Sequence, residues 1–295
     1  MDNVKDNAKR EDNTSSGGFC CGMGETSSGK YPLTGRENHP ENAVVKVGNA
    51  TIGDGEFVFI AGPCAVESER QIIETAIALK KSGVKILRGG AYKPRTSPYS
   101  FQGLGKEGLK FLRKAKEETG LAVVTEITDL RTLDLFEGVD MIQIGARNMQ
   151  NFELLKEVGK FGKPVLLKRG FVNTVEEWIM SAEYIASNGA LDIVLCERGV
   201  RTFETLTRNT LDLGIIPLVK ELTRLPVIID PSHASGNKKL IRPLTLAAAA
   251  VGADGAIIEC HVSPENAVCD GEQAITPEEL QEIISAAAKV REASR

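Results

Sequence analysis

Eight short runs of β-branched and aliphatic residues punctuate the chain. Each ends in a residue suited to anion or metal chemistry, and most lead into a helix-patterned segment. These observations predict an α/β fold: a single (β/α)8 TIM barrel with a short N-terminal β-hairpin and a disordered N-terminal tail. The endings are Cys64, Arg88, Glu126, Arg147, Lys168 with Arg169, Arg198, His233 and Glu259. Polar residues at the downstream end of every strand place an active site on the mouth of such a barrel.

Residues 1–42 stand apart from the rest. Stretches 15–18 and 22–30 are rich in Gly, Ser and Thr and carry little apolar content, which predicts a disordered tail. Cys20 and Cys21 are read as an incidental pair within it. Residues 43–295 form the barrel. A hairpin over 44–47 and 50–52, turning at Gly48-Asn49, precedes it and is placed to plug the barrel bottom.

Strands and helices then alternate. Strands are predicted at 57–61, 84–88, 122–126, 141–144, 165–168, 192–196, 227–230 and 255–259. Helices are predicted at 68–82, 106–119, 130–136, 151–161, 174–187, 242–251 and 277–291, with helical material split by Gly214 and Pro217 between 209 and 223. Ser68 and Thr276 are cap residues, and Pro277 takes the first helical position. The strands are near-continuously apolar, as when both faces of a parallel sheet are buried. Eight units joined by mostly short loops favour a closed barrel over an open sheet.

At 295 residues, 42% hydrophobic and 26% charged, the composition is that of an ordinary globular protein. Mean hydropathy is -0.12, and no apolar run approaches the ~20 residues of a membrane helix. The net charge of -4 argues against wholesale nucleic-acid binding. The six cysteines form no CxxC pair, so a cytoplasmic location is expected. Cys196 and Cys260 lie in apolar strands and are read as core residues.

Arg88, Lys93, Arg95, Arg147, Lys168, Arg169 and Arg198 all fall at strand ends or in the loops that follow. Converging on one face, these cations would repel one another unless a multiply charged anion filled the space. The planar guanidinium suits phosphate and carboxylate through bidentate contacts. A second group overlaps them. Cys64, His233, Glu259 and Asp270 belong to the first, seventh and eighth strand ends and the loop beyond, which are neighbours on a closed barrel. This mixed sulfur, nitrogen and oxygen set suits a divalent metal ion such as Mn, Fe, Co or Zn. His261, two residues past the last strand, is a candidate to support a ligand. Glu126 sits among positive neighbours and is read as holding Lys93 or Lys168, or positioning a water.

Gly62-Pro63-Cys64-Ala65-Val66-Glu67-Ser68 and the run from Leu87 to Pro98, with Lys93-Pro94-Arg95-Thr96 at its centre, resemble type I 3-deoxy-D-arabino-heptulosonate 7-phosphate (DAHP) synthases. The resemblance is to the subgroup similar to 3-deoxy-octulosonate 8-phosphate (KDO8P) synthase. Gly145-Ala146-Arg147-Asn148-Met149, Leu167-Lys168-Arg169-Gly170, Cys196-Glu197-Arg198-Gly199 and Asp230-Pro231-Ser232-His233 continue it, and only the tail is left uncovered. The resemblance implies condensation of phosphoenolpyruvate with erythrose 4-phosphate, the entry step of the shikimate pathway. It assigns phosphoenolpyruvate to Arg88, Lys93, Arg147, Lys168 and Arg198, and the aldose phosphate to Lys93, Arg95 and Thr96. It also implies that the metal on Cys64, His233, Glu259 and Asp270 polarises the aldehyde. Lys93, Glu126 and His233 are the candidate catalytic residues, with Lys93 or a metal-bound water as proton donor to the new alkoxide.

Regulated members of that subgroup carry an added domain, which 42 polar residues cannot build, so a catalytic barrel without its own feedback domain is expected. A homo-oligomer (dimer or tetramer) and a separate chorismate mutase are the expected partners. KDO8P synthase, using arabinose 5-phosphate, is the nearest rival, and Pro94 and Thr96 argue against it. A catalytically silent regulatory barrel would have lost metal or anion residues, and none is missing. A Schiff-base aldolase would use Lys168 but has no need of the Cys, His and carboxylate group.

Overall fold

Residues 29–295 are described by the computed structural model. The hairpin forms as expected. β1 (Val45–Val47) pairs antiparallel with β2 (Ala50–Ile52), and Gly48 supplies the positive φ of the turn. Eight parallel strands follow: β3 (Val58–Gly62), β4 (Ile86–Arg88), β5 (Ala122–Ile127), β6 (Met141–Ile144), β7 (Val165–Lys168), β8 (Ile193–Glu197), β9 (Val227–Ile229) and β10 (Gly255–Glu259). Sequential strands are neighbours, and β10 closes on β3 in a register from Gly255 against Val58 to Glu259 against Gly62. At Gly62 the strands approach so closely that a Cβ would lie 1.9 Å from the Arg88 carbonyl oxygen, which leaves glycine as the residue that fits.

Alternation along each strand sorts two cores. Ile60, Ile86, Val124, Leu166, Cys196, Ile228 and Ile257 face the barrel axis. There they pack with Val45, Val47, Ala50 and Ile52, so the hairpin plugs the bottom. Their strand neighbours Ala61, Leu87, Val123, Leu167, Leu195, Ile229 and Ile258 face outward into the larger core beneath the helices. One further inward step of two residues, at positions 88, 126, 168, 198, 230 and 259, brings Arg, Glu, Lys, Arg, Asp and Glu to the mouth.

The helices are α1 (Glu69–Lys81), α2 (Lys106–Thr119), α3 (Phe152–Phe161), α4 (Val175–Ala186), α5 (Ile215–Leu222), α6 (Pro231–Ser235), α7 (Lys238–Ala250) and α8 (Pro277–Ala293). A 3-10 helix takes Leu130–Gly138. Ser68 caps α1 by accepting from the Gln71 amide, and Thr276 and Glu279 form a reciprocal capping box on α8.

Four differences from the expected elements go beyond a residue or two: α5 (Ile215–Leu222) runs unbroken through Pro217, and the others concern α7, α6 and the tail. α7 begins at Lys238, capped by Asn237, rather than at 242; Pro243 sits inside it and removes one backbone donor without breaking the buried face of Ile241, Thr245, Ala248 and Ala249. The short helix α6 was not foreseen, although an Asp followed by Pro is a start signal, and Asp230 caps it. The tail boundary at 42 is too late. The Thr34 amide and hydroxyl donate to Glu183 at 2.7 and 2.6 Å, Arg36 Nε donates to the Lys220 carbonyl at 2.7 Å, and Thr223 Oγ1 donates to the Thr34 carbonyl at 2.6 Å. These polar residues are held by hydrogen bonds to α4 and α5, which composition does not register. Residues 1–28, with Cys20 and Cys21, lie outside the described residues.

Candidate active site

Ligand-type atoms of Cys64, His233, Glu259 and Asp270 all lie within 4.8 Å of one another. Cys64 follows β3 and Glu259 ends β10, so closure of the barrel makes them neighbours. His233 rides on α6, and Asp270 has φ 53°, the one non-glycine residue with positive φ among the described residues. Cys64 Sγ lies 3.0 Å from Asp270 Oδ2, and His233 Nε2 lies 3.1 Å from Glu259 Oε1.

Neighbouring side chains aim these groups. His233 Nδ1 meets Asp230 Oδ2 at 2.7 Å, which turns Nε2 toward the cluster. Gln273 Nε2 donates to the second oxygen of Glu259, and Arg88 Nη1 holds the first at 2.7 Å. Burial disfavours charge on His233, but Asp230 and Glu259 outweigh it and push the imidazole up to about 10. At Glu259 burial works against the charged form, but His233, followed by Arg88 and Lys93, outweighs it and holds the carboxyl well below the usual range. A hydrogen bond with Cys269, together with burial, pushes the Cys64 thiol up. One sulfur, one imidazole nitrogen aimed by a carboxylate, and two carboxylates fit a borderline divalent ion, which would displace the protons from Cys64 and His233.

Beside the cluster opens a cavity of about 440 Å³. Arg88, Lys93, Arg95, Arg147, Lys168 and Arg198 all line it, as do Pro94 and Thr96. Lys168 pairs with Asp230, and Lys93 Nζ lies 2.9 Å from Cys64 Sγ. Burial works against the Lys93 ammonium, but Cys64 and Glu259 outweigh it and raise its pKa, so it stays charged.

Arg169 departs from the expectation. It turns outward, pairing with Glu197 at 3.0 Å and Asp212 at 3.4 Å, and does not line the cavity. The cause is strand parity: Lys168 continues the inward face of Leu166, whereas Arg169 continues the outward face of Leu167. Arg201 and Arg208 do line the cavity, although the strand-end pattern stops at Arg198 and passes over them. They lie in the loop between β8 and α5, and that loop's length was the available signal. Glu126 lines the cavity too. Its carboxylate accepts from Gln143 at 3.2 Å, while Lys93 and Lys168 have the other partners just described. His261 is buried outside the ligand group, its Nδ1 accepting from the Ser263 amide at 2.9 Å and its Nε2 3.7 Å from Glu67. Cys196 and Cys260 are core residues, as expected.

A family model described as the DAHP synthetase I family matches residues 36–294. The phospho-2-dehydro-3-deoxyheptonate aldolase of Thermotoga maritima is 53% identical over 264 residues, covering 89% of this chain and 78% of that protein. The 2-dehydro-3-deoxyphosphooctonate aldolase of Desulfotalea psychrophila is 32% identical, covering 82% of this chain and 92% of that one. The crystal structure of the Thermotoga aldolase superimposes with a TM-score of 0.87 at 52% identity, over 90% of this chain and 78% of that one. A truncated form of 3-deoxy-D-arabino-heptulosonate 7-phosphate synthase from the same organism gives 0.83 at 48% identity, over 89% and 97%.

Proposed function

The chain belongs to the DAHP synthetase I family, and we infer that it is a 3-deoxy-7-phosphoheptulonate synthase joining phosphoenolpyruvate to D-erythrose 4-phosphate. The products are DAHP and inorganic phosphate, and the step opens the shikimate pathway to chorismate and the aromatic amino acids. The observation that carries this is one cavity lined by eight cations from strand ends and the loops after them, and bordered by a four-ligand cluster.

Phosphoenolpyruvate brings a phosphate and a carboxylate, and Arg88, Lys93, Arg147, Lys168 and Arg198 provide charge for both. Lys93, Arg95 and Thr96, in the loop after β4, take the phosphate of the aldose. C3 of phosphoenolpyruvate attacks the aldehyde carbon, water adds to the cationic C2, and phosphate leaves. A divalent ion on Cys64, His233, Glu259 and Asp270 would supply Lewis acidity at the aldehyde oxygen. Lys93, held charged beside Cys64, is assigned as the proton donor to the new alkoxide, with a metal-bound water as the alternative. Glu126, near the end of β5 and accepting from Gln143, is assigned to positioning the water that adds to C2.

Steady-state phosphate release with phosphoenolpyruvate and a panel of aldose phosphates tests the assignment. The four-carbon substrate should show the higher kcat/KM, because Pro94 and Thr96 shape the aldose end of the cavity. A higher value for arabinose 5-phosphate would move the chain to the octulosonate branch. The four described cysteines are all buried free thiols, consistent with a reducing cytoplasm. A homo-oligomer (dimer or tetramer) and a separate chorismate mutase complete the proposal; light scattering on the pure protein and on the mixture would test both.

A further inference from the structure

We propose that Phe171 is a positioning residue of the anion site, its ring holding the guanidinium groups of Arg147, Arg198 and Arg201 together before an anion arrives. The three guanidinium carbons lie 5.6, 4.6 and 4.8 Å from the centre of that ring. Phe171 and all three arginines line the cavity. Arg147 comes from the loop after β6, and Arg198 and Arg201 from the loop after β8. Phe171 stands in the loop of the strand between, β7.

Three like charges gathered at one ring repel one another. Elsewhere at this mouth Lys93 lies against Cys64 Sγ, and a carboxylate answers the other cations: Glu259 for Arg88, Asp230 for Lys168, Asp270 for Arg95 and Arg208. Among the described residues, Arg147, Arg198 and Arg201 pair with no carboxylate. The aromatic quadrupole attracts a guanidinium without carrying net charge. A carboxylate in the same place would also hold the arginines, but it would neutralise them and repel the incoming phosphate. The ring therefore spaces the cations and leaves their charge for the ligand.

The loop that carries the ring is itself fixed. The Arg201 amide donates to the Phe171 carbonyl at 2.7 Å, tying the two loops together. At the base of the β7 loop, the outward-turned Arg169 is buried against Glu197, and its Nε donates to the Asn173 carbonyl at 3.0 Å. The residue that leaves the cavity thus anchors the loop that carries Phe171.

The proposal rests on reading the cavity as the phosphoenolpyruvate site. It is tested in the full-length, metal-loaded protein by comparing wild type, Phe171→Leu and Phe171→Tyr. Calorimetric titration of phosphoenolpyruvate, steady-state kinetics and thermal melting are the readouts. Phe171→Leu should raise the Kd and KM for phosphoenolpyruvate about tenfold, with kcat and the KM for erythrose 4-phosphate changing less than about twofold. Its melting temperature should stay near wild type, and Phe171→Tyr, which keeps the ring, should bind like wild type. An unchanged Kd in Phe171→Leu overturns the proposal, as does equal weakening of both substrates or equal loss in Phe171→Tyr. If wild type neither binds nor turns over phosphoenolpyruvate, the functional assignment fails on its own. Titration with inorganic phosphate in the same three proteins would then decide the role of Phe171, weaker binding in Phe171→Leu alone supporting it and equal binding in all three overturning it.

Discussion

At the bottom of the barrel, Val45, Val47, Ala50 and Ile52 of the hairpin close over Ile86, Val124, Leu166 and Ile257. Two residues farther along those same four strands, the inward side chains are Arg88, Glu126, Lys168 and Glu259. One end is filled by apolar packing. The other is lined by charged groups, most of them buried; Arg88 is balanced by Glu259 and Lys168 by Asp230, while Glu126 accepts from Gln143. The difference shows how a barrel separates stability from chemistry along a strand only a few residues long. The bottom tolerates change according to volume. The mouth tolerates it according to charge balance, so a substitution there disturbs catalysis and stability together.

The largest expected effect is on activity at the mouth. Chelation of divalent ions, or His233→Ala, should lower phosphate release by about a thousandfold or more, the several kcal/mol a Lewis acid contributes to such a transition state. Added Mn or another divalent ion should restore the chelated protein but not the variant. Full turnover in a preparation shown by elemental analysis to be metal-free would remove the metal from the account.

Arg88→Met in the metal-free protein should cost about 3–5 kcal/mol, because Glu259 is left charged and buried without its guanidinium. Ile52→Ala, at a fully buried position in the plug, should cost ~2–5 kcal/mol by leaving a cavity. The contrast lies in the second readout. Ile52→Ala should keep kcat/KM at temperatures where it is folded, whereas Arg88→Met should lose it. Denaturant unfolding alongside kinetics separates the two, and a catalytic defect in Ile52→Ala would show that the ends are coupled.

A smaller effect tests how the ligands are aimed. Gln273→Ala frees one oxygen of Glu259 and should weaken metal affinity about 10–100-fold, without altering the donor set. Competition with a chromogenic chelator measures this, and unchanged affinity would show that Arg88 alone orients the carboxylate. The smallest effect concerns the strap below the barrel. Removing residues 29–42 along with 1–28 should lower the melting temperature by about 2–8 °C relative to removing 1–28 alone, the loss expected from hydrogen bonds to the Glu183 carboxylate. Equal melting of the two truncations would make the strap energetically silent.

The chain by itself determined the barrel, because burial on both faces forces apolar runs whose length and spacing are visible in one dimension. It also determined the mouth residues at the strand ends, since a strand can place a polar side chain only where burial ends, but not Arg201 and Arg208, which reach the cavity from a long loop. Parity was equally present in the sequence: counting by two from the inward Leu166 separates Lys168 from Arg169. What only the tertiary structure decided depends on distance between residues far apart in the chain. The bonds of Thr34 to Glu183, of Glu259 to Gln273, and the gathering of three arginines at Phe171 have no local signature. Polar side chains take their roles from whichever partner folding brings within about 3 Å, and no periodicity encodes that choice.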